Sequence, residues 1–528
     1  MVQFSPHGGT TMIQRTRRNF LKDVATGAVV ASVGSSLAAD LGFSFAFADD
    51  GPERLTFGGQ ERLVSLMQET QAARLIPMIV ERLRNGTSLR EVVAAAALAN
   101  ARTFGGEDYI GFHTMMAISP AFHMSGEFPE ARRALPVLKV IHRNASRIQD
   151  FGGRNREVLH PVQAAELPSN RPGSEVLREA VRRPNMNDAE RTYAALARNA
   201  DDALNNVLFA IQDACEVHRV VLPYRAWDLM GIIGREQAHT LLRQSIRYCV
   251  RGETPRYIEH FGSVRTLVPR LLDQHRLVSR PLGTRTAENR WVDELSQTIF
   301  RGTAEQAAGA AAAALAEGFD PNVIGEAISL AANQLVLRDN GRPRDEAPNK
   351  PAGSIHGDSI GVHGCDSANA WRNLARAANP RNKAVCIILG AWQVAHDRVS
   401  RGGNFLTWEP YPRQEAREQV RNLQTDRLLP ALEDAIRNRN QVRAAAIVHR
   451  YGEANQPVRP LWDLLLKYAV SEDGALHAEK FYRTATEEFA ATRPAFRWRQ
   501  LIALARVTAS AHGYPAPGHR EACRLLGI

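Results

Sequence analysis

Lysine is almost missing from this chain of 528 residues. Lys22, Lys139, Lys350, Lys383, Lys467 and Lys480 are the only lysines among 66 basic side chains, so the formal net charge of +10 is carried by scattered arginine. No basic tract accompanies that charge, which argues against a nucleic-acid surface. Cysteine is also sparse: Cys215, Cys249, Cys365, Cys386 and Cys523 contain no CxxC pair. Neither a thiolate zinc site nor a thioredoxin-type motif is indicated, and the odd count leaves at least one thiol free or shared between chains. Gly-rich phosphate loops and dinucleotide fingerprints are absent. Ser354, His356 and Asp358 crowd one loop. They lack the Gly-x-Ser-x-Gly context, and residues so close in sequence do not normally form a hydrolase triad. Strand-like alternation is nearly absent as well.

What is present is helical patterning. From Gln60 to Arg84 the residues Leu63, Leu66, Met67, Leu75, Ile76, Ile79 and Val80 fall on one face, predicting a helix that stops at Gly86. Ser88-Leu89-Arg90-Glu91 reads as a capping box opening the next helix. Alanine-rich runs such as Ala307 to Ala316 suit close helix packing. The expected fold is all-α. Irregular composition marks expected linkers at about 151–187 and 280–289, and the proline-bearing insert 339–353 is long enough for a functional loop or lid.

Self-similarity then divides the chain into two expected halves, 49–275 and 276–528. The helix–Gly–cap–helix pattern at Gly86 and Ser88 returns at Gly318 and Asp320-Pro321. Each is followed by a histidine segment, Ile110-Gly111-Phe112-His113 and Ile360-Gly361-Val362-His363, whose helix leads on to His142 or His396. A second block pairs Trp227-Asp228-Leu229 before His239 with Trp462-Asp463-Leu464 before His477. Within this scheme His113, His218 and His363 precede Phe122, Trp227 and Trp371 by eight or nine residues. Two such halves facing one another would bring their histidines to a shared cavity.

Near the start, Arg17-Arg18-Asn19-Phe20-Leu21-Lys22 precedes a moderately apolar stretch and Ala46-Phe47-Ala48. This resembles a twin-arginine export signal cut before Asp49. Gly27, Gly34 and Asp40 make the stretch a poor spanning helix, so no transmembrane anchor is expected after cleavage, and the expected location is periplasmic or secreted. The twin-arginine route is known for passengers folded around a cofactor, and the resemblance raises that expectation here.

Three blocks, 113–150, 217–248 and 363–398, resemble an uncharacterised family of exported helical bacterial proteins. The resemblance is carried by Phe112-His113, Ala226-Trp227, Gln237-Ala238-His239 and Ala370-Trp371-Arg372. A more distant similarity is to the questin-oxidase-like proteins, also helical and histidine-bearing. Related domains accompany Rieske iron–sulfur modules. This chain has no Rieske cysteine–histidine pairs, so the resemblance implies a separate electron-donor protein. It implies His113, His218, His239 and His363 as the site positions, with His142 and His396 as further members. Neutral imidazoles ligate iron, copper and zinc. The expected function is a metal- or haem-dependent oxidoreductase; the alternative is a non-catalytic helical scaffold or binding protein. Glu236 to His239 and Glu157 to His160 also have the E-x-x-H spacing of di-iron bundles, a pattern that 16 histidines and 56 acidic residues generate by chance.

Overall fold

The computed structural model describes residues 53–279, 281–400 and 402–528. The expected signal segment 1–48 lies outside them. The described residues are mainly helical, with only isolated β-bridges and no strands among them. The all-α expectation is met. Among them no helix is long and apolar enough to cross a membrane.

Local chemistry sets the helix ends. The Ser88 hydroxyl accepts from the Glu91 N–H at 3.2 Å, and the Ser88 N–H donates to Glu91 Oε2 at 2.8 Å, closing the capping box. Asp320 caps the helix Pro321–Arg338 with Pro321 at its first position, where the missing N–H costs nothing. The single helix expected from Gln60 to Arg84 is two, Glu61–Glu69 and Ala72–Arg84, because Thr70 is extended. Nor are the expected linkers free connectors. The stretch 151–187 contains the helix Gly173–Arg182, and Val158 and Leu159 donate backbone N–H bonds to the Arg102 carbonyl. Residue Arg285 of the second linker pairs with the chain at Gly318 and Asp320.

Four helices form the interior: α1 (Tyr109–Ser125), α2 (Val217–Ile233), α3 (Ile360–Ala377) and α4 (His477–Ala491). Each packs on two of the others, in the cyclic order α1, α2, α3, α4. They run parallel. Their N-terminal turns meet through His113, His218, His363 and His477, while their far ends meet through separate contacts. Further along the bundle His123 of α1 bonds Asp228 of α2, Tyr224 from the middle of α2 bonds Glu487 of α4, and Arg372 of α3 bonds Glu488 of α4. Outer helices, among them Leu89–Phe104, Ala238–Arg251, Pro321–Arg338 and Trp498–Ala511, pack on this bundle and bury it.

The two Ile-Gly-x-His segments acquire a structural reason. A Cβ at Gly111 would lie 2.5 Å from the Phe104 ring, and one at Gly361 would lie 2.8 Å from the Leu335 and Val336 backbone. Glycine two residues before the histidine lets an inner helix start hard against the end of the outer helix preceding it. Gly361→Ala should therefore destabilise the fold by about 1–3 kcal/mol, since backbone cannot yield to the new methyl group. Gly309→Ala, where a Cβ meets nothing within 4 Å, should be neutral or stabilising. Urea unfolding of the two variants checks this, and equal effects would refute it.

Candidate functional site

Each inner helix contributes one histidine from its first five residues. His113 Nε2 stands 3.2 Å from His218 Nε2, and His363 Nε2 stands 3.3 Å from His477 Nε2. Ring centroids are 4.8 Å apart for His113 and His218, 5.7 Å for His218 and His363, 5.3 Å for His363 and His477, and 5.3 Å for His477 and His113. The four imidazoles form a closed quadrilateral, with His113, His363 and His477 buried and His218 only slightly exposed.

Hydrogen bonding fixes which nitrogen of three rings carries the proton. His113 Nδ1 faces the Tyr109 carbonyl at 2.7 Å and His477 Nδ1 faces the Ala475 carbonyl at 3.0 Å. A carbonyl only accepts, so both Nδ1 atoms are protonated. His218 Nδ1 lies 2.7 Å from Glu216 Oε1. Burial resists ionisation of Glu216, but the His218 imidazole and hydrogen bonds from His218 and Tyr248 hold its pKa down to about 2. Glu216 is therefore a carboxylate acceptor and His218 Nδ1 also donates. With both Nδ1 atoms donating elsewhere, the Nε2 atoms of His113 and His218 face one another across 3.2 Å. A proton on one Nε2 makes this contact a hydrogen bond, and a metal ion between them would be held by both lone pairs. Burial, then the nearby Lys480 cation and His218, push the His113 pKa far below its ordinary value, so His113 does not supply the proton. Burial, Lys480 and His363 act on His477 in the same direction.

The turn before α4 is strained to serve this arrangement. Gly474, Ala475 and Leu476 have φ of 53°, 47° and 66°, three successive left-handed residues of which two carry side chains. Such conformations cost on the order of 1–2 kcal/mol for each non-glycine residue. The turn aims the Ala475 carbonyl at His477 Nδ1. Tyr109 is 60% exposed while its ring centroid is 4.4 Å from that of His113, so the cluster approaches solvent there.

Of the positions expected from sequence, His113, His218 and His363 come together and His239 does not. His239 is buried on the outer helix Ala238–Arg251, stacked on Tyr193 at 5.5 Å, and His477 holds the fourth place. The sequence pattern pairing His239 with His477 misleads because Trp227 lies inside α2, whereas Trp462 lies in the preceding helix Val458–Ser471. His396 stacks on Trp392 at 4.5 Å, and His142 packs beside Gly518; neither joins the tetrad. Exposed Glu236 shares no face with buried His239, and Glu157 pairs with Arg54. The Ser354 hydroxyl donates to the Pro351 carbonyl rather than to His356, so no triad forms. The insert 339–353 borders a cavity of about 640 Å³ beside the start of α3.

Among the described residues, no group of three or more His, Cys, Asp and Glu side chains already stands in position to hold one metal ion. For a planar square of about 5.3 Å edge the centre lies about 3.7 Å from each ring centroid, whereas a metal–nitrogen bond of about 2 Å requires about 3.2 Å. Ligation would draw each ring inward by about half an ångström. A haem does not fit among rings so close. Comparison with family models, curated proteins and solved structures finds no match.

Neutral burial of His113 and His477 has a consequence for pH. Both histidines have pKa values below the unfolded value of about 6.5, so below that pH the unfolded chain binds protons that the fold does not. Stability of the metal-free protein is fully present above about pH 6.5 and should fall on acidification by about 1.4 kcal/mol per pH unit for each histidine. Urea titrations between pH 7.5 and 5.5 measure this, with a shallower slope expected for His477→Gln. Rising stability toward pH 5.5 would sink the assignment of neutral rings.

Proposed function

We propose that the protein is an exported, metal-dependent oxidoreductase whose ion is held by Nε2 of His113, His218, His363 and His477. The observation that carries this reading is the approach of His113 Nε2 to His218 Nε2 at 3.2 Å and of His363 Nε2 to His477 Nε2 at 3.3 Å, inside a closed ring of four imidazoles. Metal-bound histidines commonly donate their other ring nitrogen to a carbonyl or carboxylate, which fixes tautomer and orientation. His113, His218 and His477 have that second partner in Tyr109, Glu216 and Ala475. Helix N-termini favour neutral over charged imidazole, and neutral imidazole is the ligating form. Iron or copper suits an all-imidazole set and would supply one-electron chemistry there. Electrons would come from a separate donor protein, most simply at the Tyr109 side where the rings near the surface. The twin-arginine pattern of residues 17–22 agrees with a cofactor loaded before export.

A non-catalytic scaffold is the second reading, favoured by the absence of a ready-made cage. Elemental analysis and absorption spectroscopy of protein purified after native export separate the two. The oxidoreductase reading predicts about one iron or copper per chain, lost in His113→Ala and His363→Ala and retained in His239→Ala. Folded protein that is metal-free and takes up no iron, copper or zinc would leave the scaffold.

A further inference from the structure

The insert 339–353 and the loop 354–359 that follows it wall the cavity of about 640 Å³ beside the start of α3. Its size falls within the range of small-molecule sites, about 300–1,000 Å³. Part of the lining is aromatic. Phe405 and Trp408 pack with ring centroids 4.9 Å apart, and Gly403 lies against both: a Cβ there would stand 2.8 Å from the Trp408 ring and 3.2 Å from that of Phe405. Much of the rest is polar. Asp339, Asn340, Arg342, Glu346 and Asp358 contribute carboxylate, amide and guanidinium groups, and Ser354 and Ser359 contribute hydroxyls.

The charges of this lining are already matched to one another. Arg342 bonds both Glu346 and Asp358, and Lys350 holds the second oxygen of Asp358 at 2.5 Å. Asp339 accepts from the Gly341 N–H at 2.8 Å, and Arg506 donates to the Asp339 carbonyl at 2.8 Å, so a cation already stands beside it. An ionic ligand of either sign would have to break such pairs or meet a like charge. A neutral ligand would not. The carboxylates still accept, and Asn340, whose Oδ1 accepts from Arg413, has its amide nitrogen to donate. Acceptors and donors so mixed suit a ligand with several hydroxyls, because each hydroxyl does both. The aromatic rings suit a ligand with one apolar face. A sugar ring combines the two, with C–H groups across its face and hydroxyls around its edge.

We propose that this cavity binds a neutral saccharide, its C–H face against Trp408 and its hydroxyls bonded by Asp339, Asn340 and Glu346. The cavity adjoins the tetrad. Ser354, Asp358 and Ser359 line it, while Gly357 packs on His477, where a Cβ would lie 2.2 Å from the His477 Cβ. The Ser359 carbonyl accepts from the His363 N–H at 3.1 Å. One loop thus walls the cavity and touches two of the four histidine residues. Saccharide binding stands without a metal ion in the tetrad; only a role as the oxidoreductase's substrate rests on that reading.

The test is saturation-transfer NMR on the full chain. Glucose, galactose, mannose, N-acetylglucosamine, maltose and cellobiose serve as probes at up to about 20 mM, which covers dissociation constants in the millimolar range. At least one of them should bind. Trp408→Ala should weaken that binding at least tenfold, and Asp339→Asn at least threefold. Asn340→Ala, on an exposed loop where folding is not at stake, should also weaken it at least threefold. Trp227→Phe, outside the cavity, should change it less than twofold; circular dichroism confirms that each variant folds. Choline and acetate, as cationic and anionic probes, should bind more weakly than the best saccharide. His363→Ala, which removes a proposed metal ligand, should keep saccharide binding, so the two readings fail separately. Binding by none of the saccharides, equal binding in the parent, Trp408→Ala and Asn340→Ala, or tighter binding of choline or acetate overturns the proposal.

Discussion

Four helices starting at one end of a bundle place four partial positive charges together, and the rest of this structure has to accommodate that fact. Parallel packing of α1 to α4 is electrostatically unfavourable unless the N-termini are capped. Asp108 caps α1, Glu216 caps α2 and Ser359 caps α3, each accepting from the first turn. α4 has no side-chain cap and is entered instead through the left-handed turn at Gly474 to Leu476. The convergence has a chemical consequence: positive helix ends oppose charge on an imidazole, burial keeps His113 and His477 neutral, and neutral imidazoles are the ones that bind metals. A bundle of alternating direction would not place four such ends around one point.

The same constraint explains why the bundle interior is not simply apolar. Below the histidines the axis carries Asp366, Lys480, Thr484 and Arg225, then Asp228, Glu487 and Glu488 toward the far end. Buried ion pairs of this kind are poor sources of stability compared with hydrophobic packing, whereas removing one partner is costly. Their presence next to a strained turn and four opposed rings is more naturally read as function held in place by a large surrounding core. The outer helices supply that core, including the alanine-rich Ala304–Ala316 helix.

Much of this was legible in the residues. Helical periodicity, the Ser88 capping box and the Asp320-Pro321 start depend on local chemistry, and local chemistry survives folding. The Ile-Gly-x-His repeat marked His113 and His363 for a reason visible only in three dimensions: glycine permits the inner helix to abut its outer neighbour. His477 was not legible as a site residue. It is the first residue of its helix and follows Ala475 and Leu476, whose left-handed conformation no local pattern signals. The resemblance carried by Gln237-Ala238-His239 points to His239 instead, and the matching Trp-Asp-Leu segments before His239 and His477 do not separate the two, because similar sequence occupies an inner helix once and an outer helix once. The break at Thr70 and the docking of the 151–187 stretch depend likewise on tertiary contacts.

Whether the tetrad closes on a metal ion is decided most directly by anomalous diffraction from crystals of iron- or copper-loaded protein, collected at the edge of the loaded metal. The account predicts one strong peak among the Nε2 atoms of His113, His218, His363 and His477, with each ring drawn inward by about half an ångström from its metal-free position. Metal located elsewhere, or a tetrad left at its present spacing with no peak inside it, would contradict it.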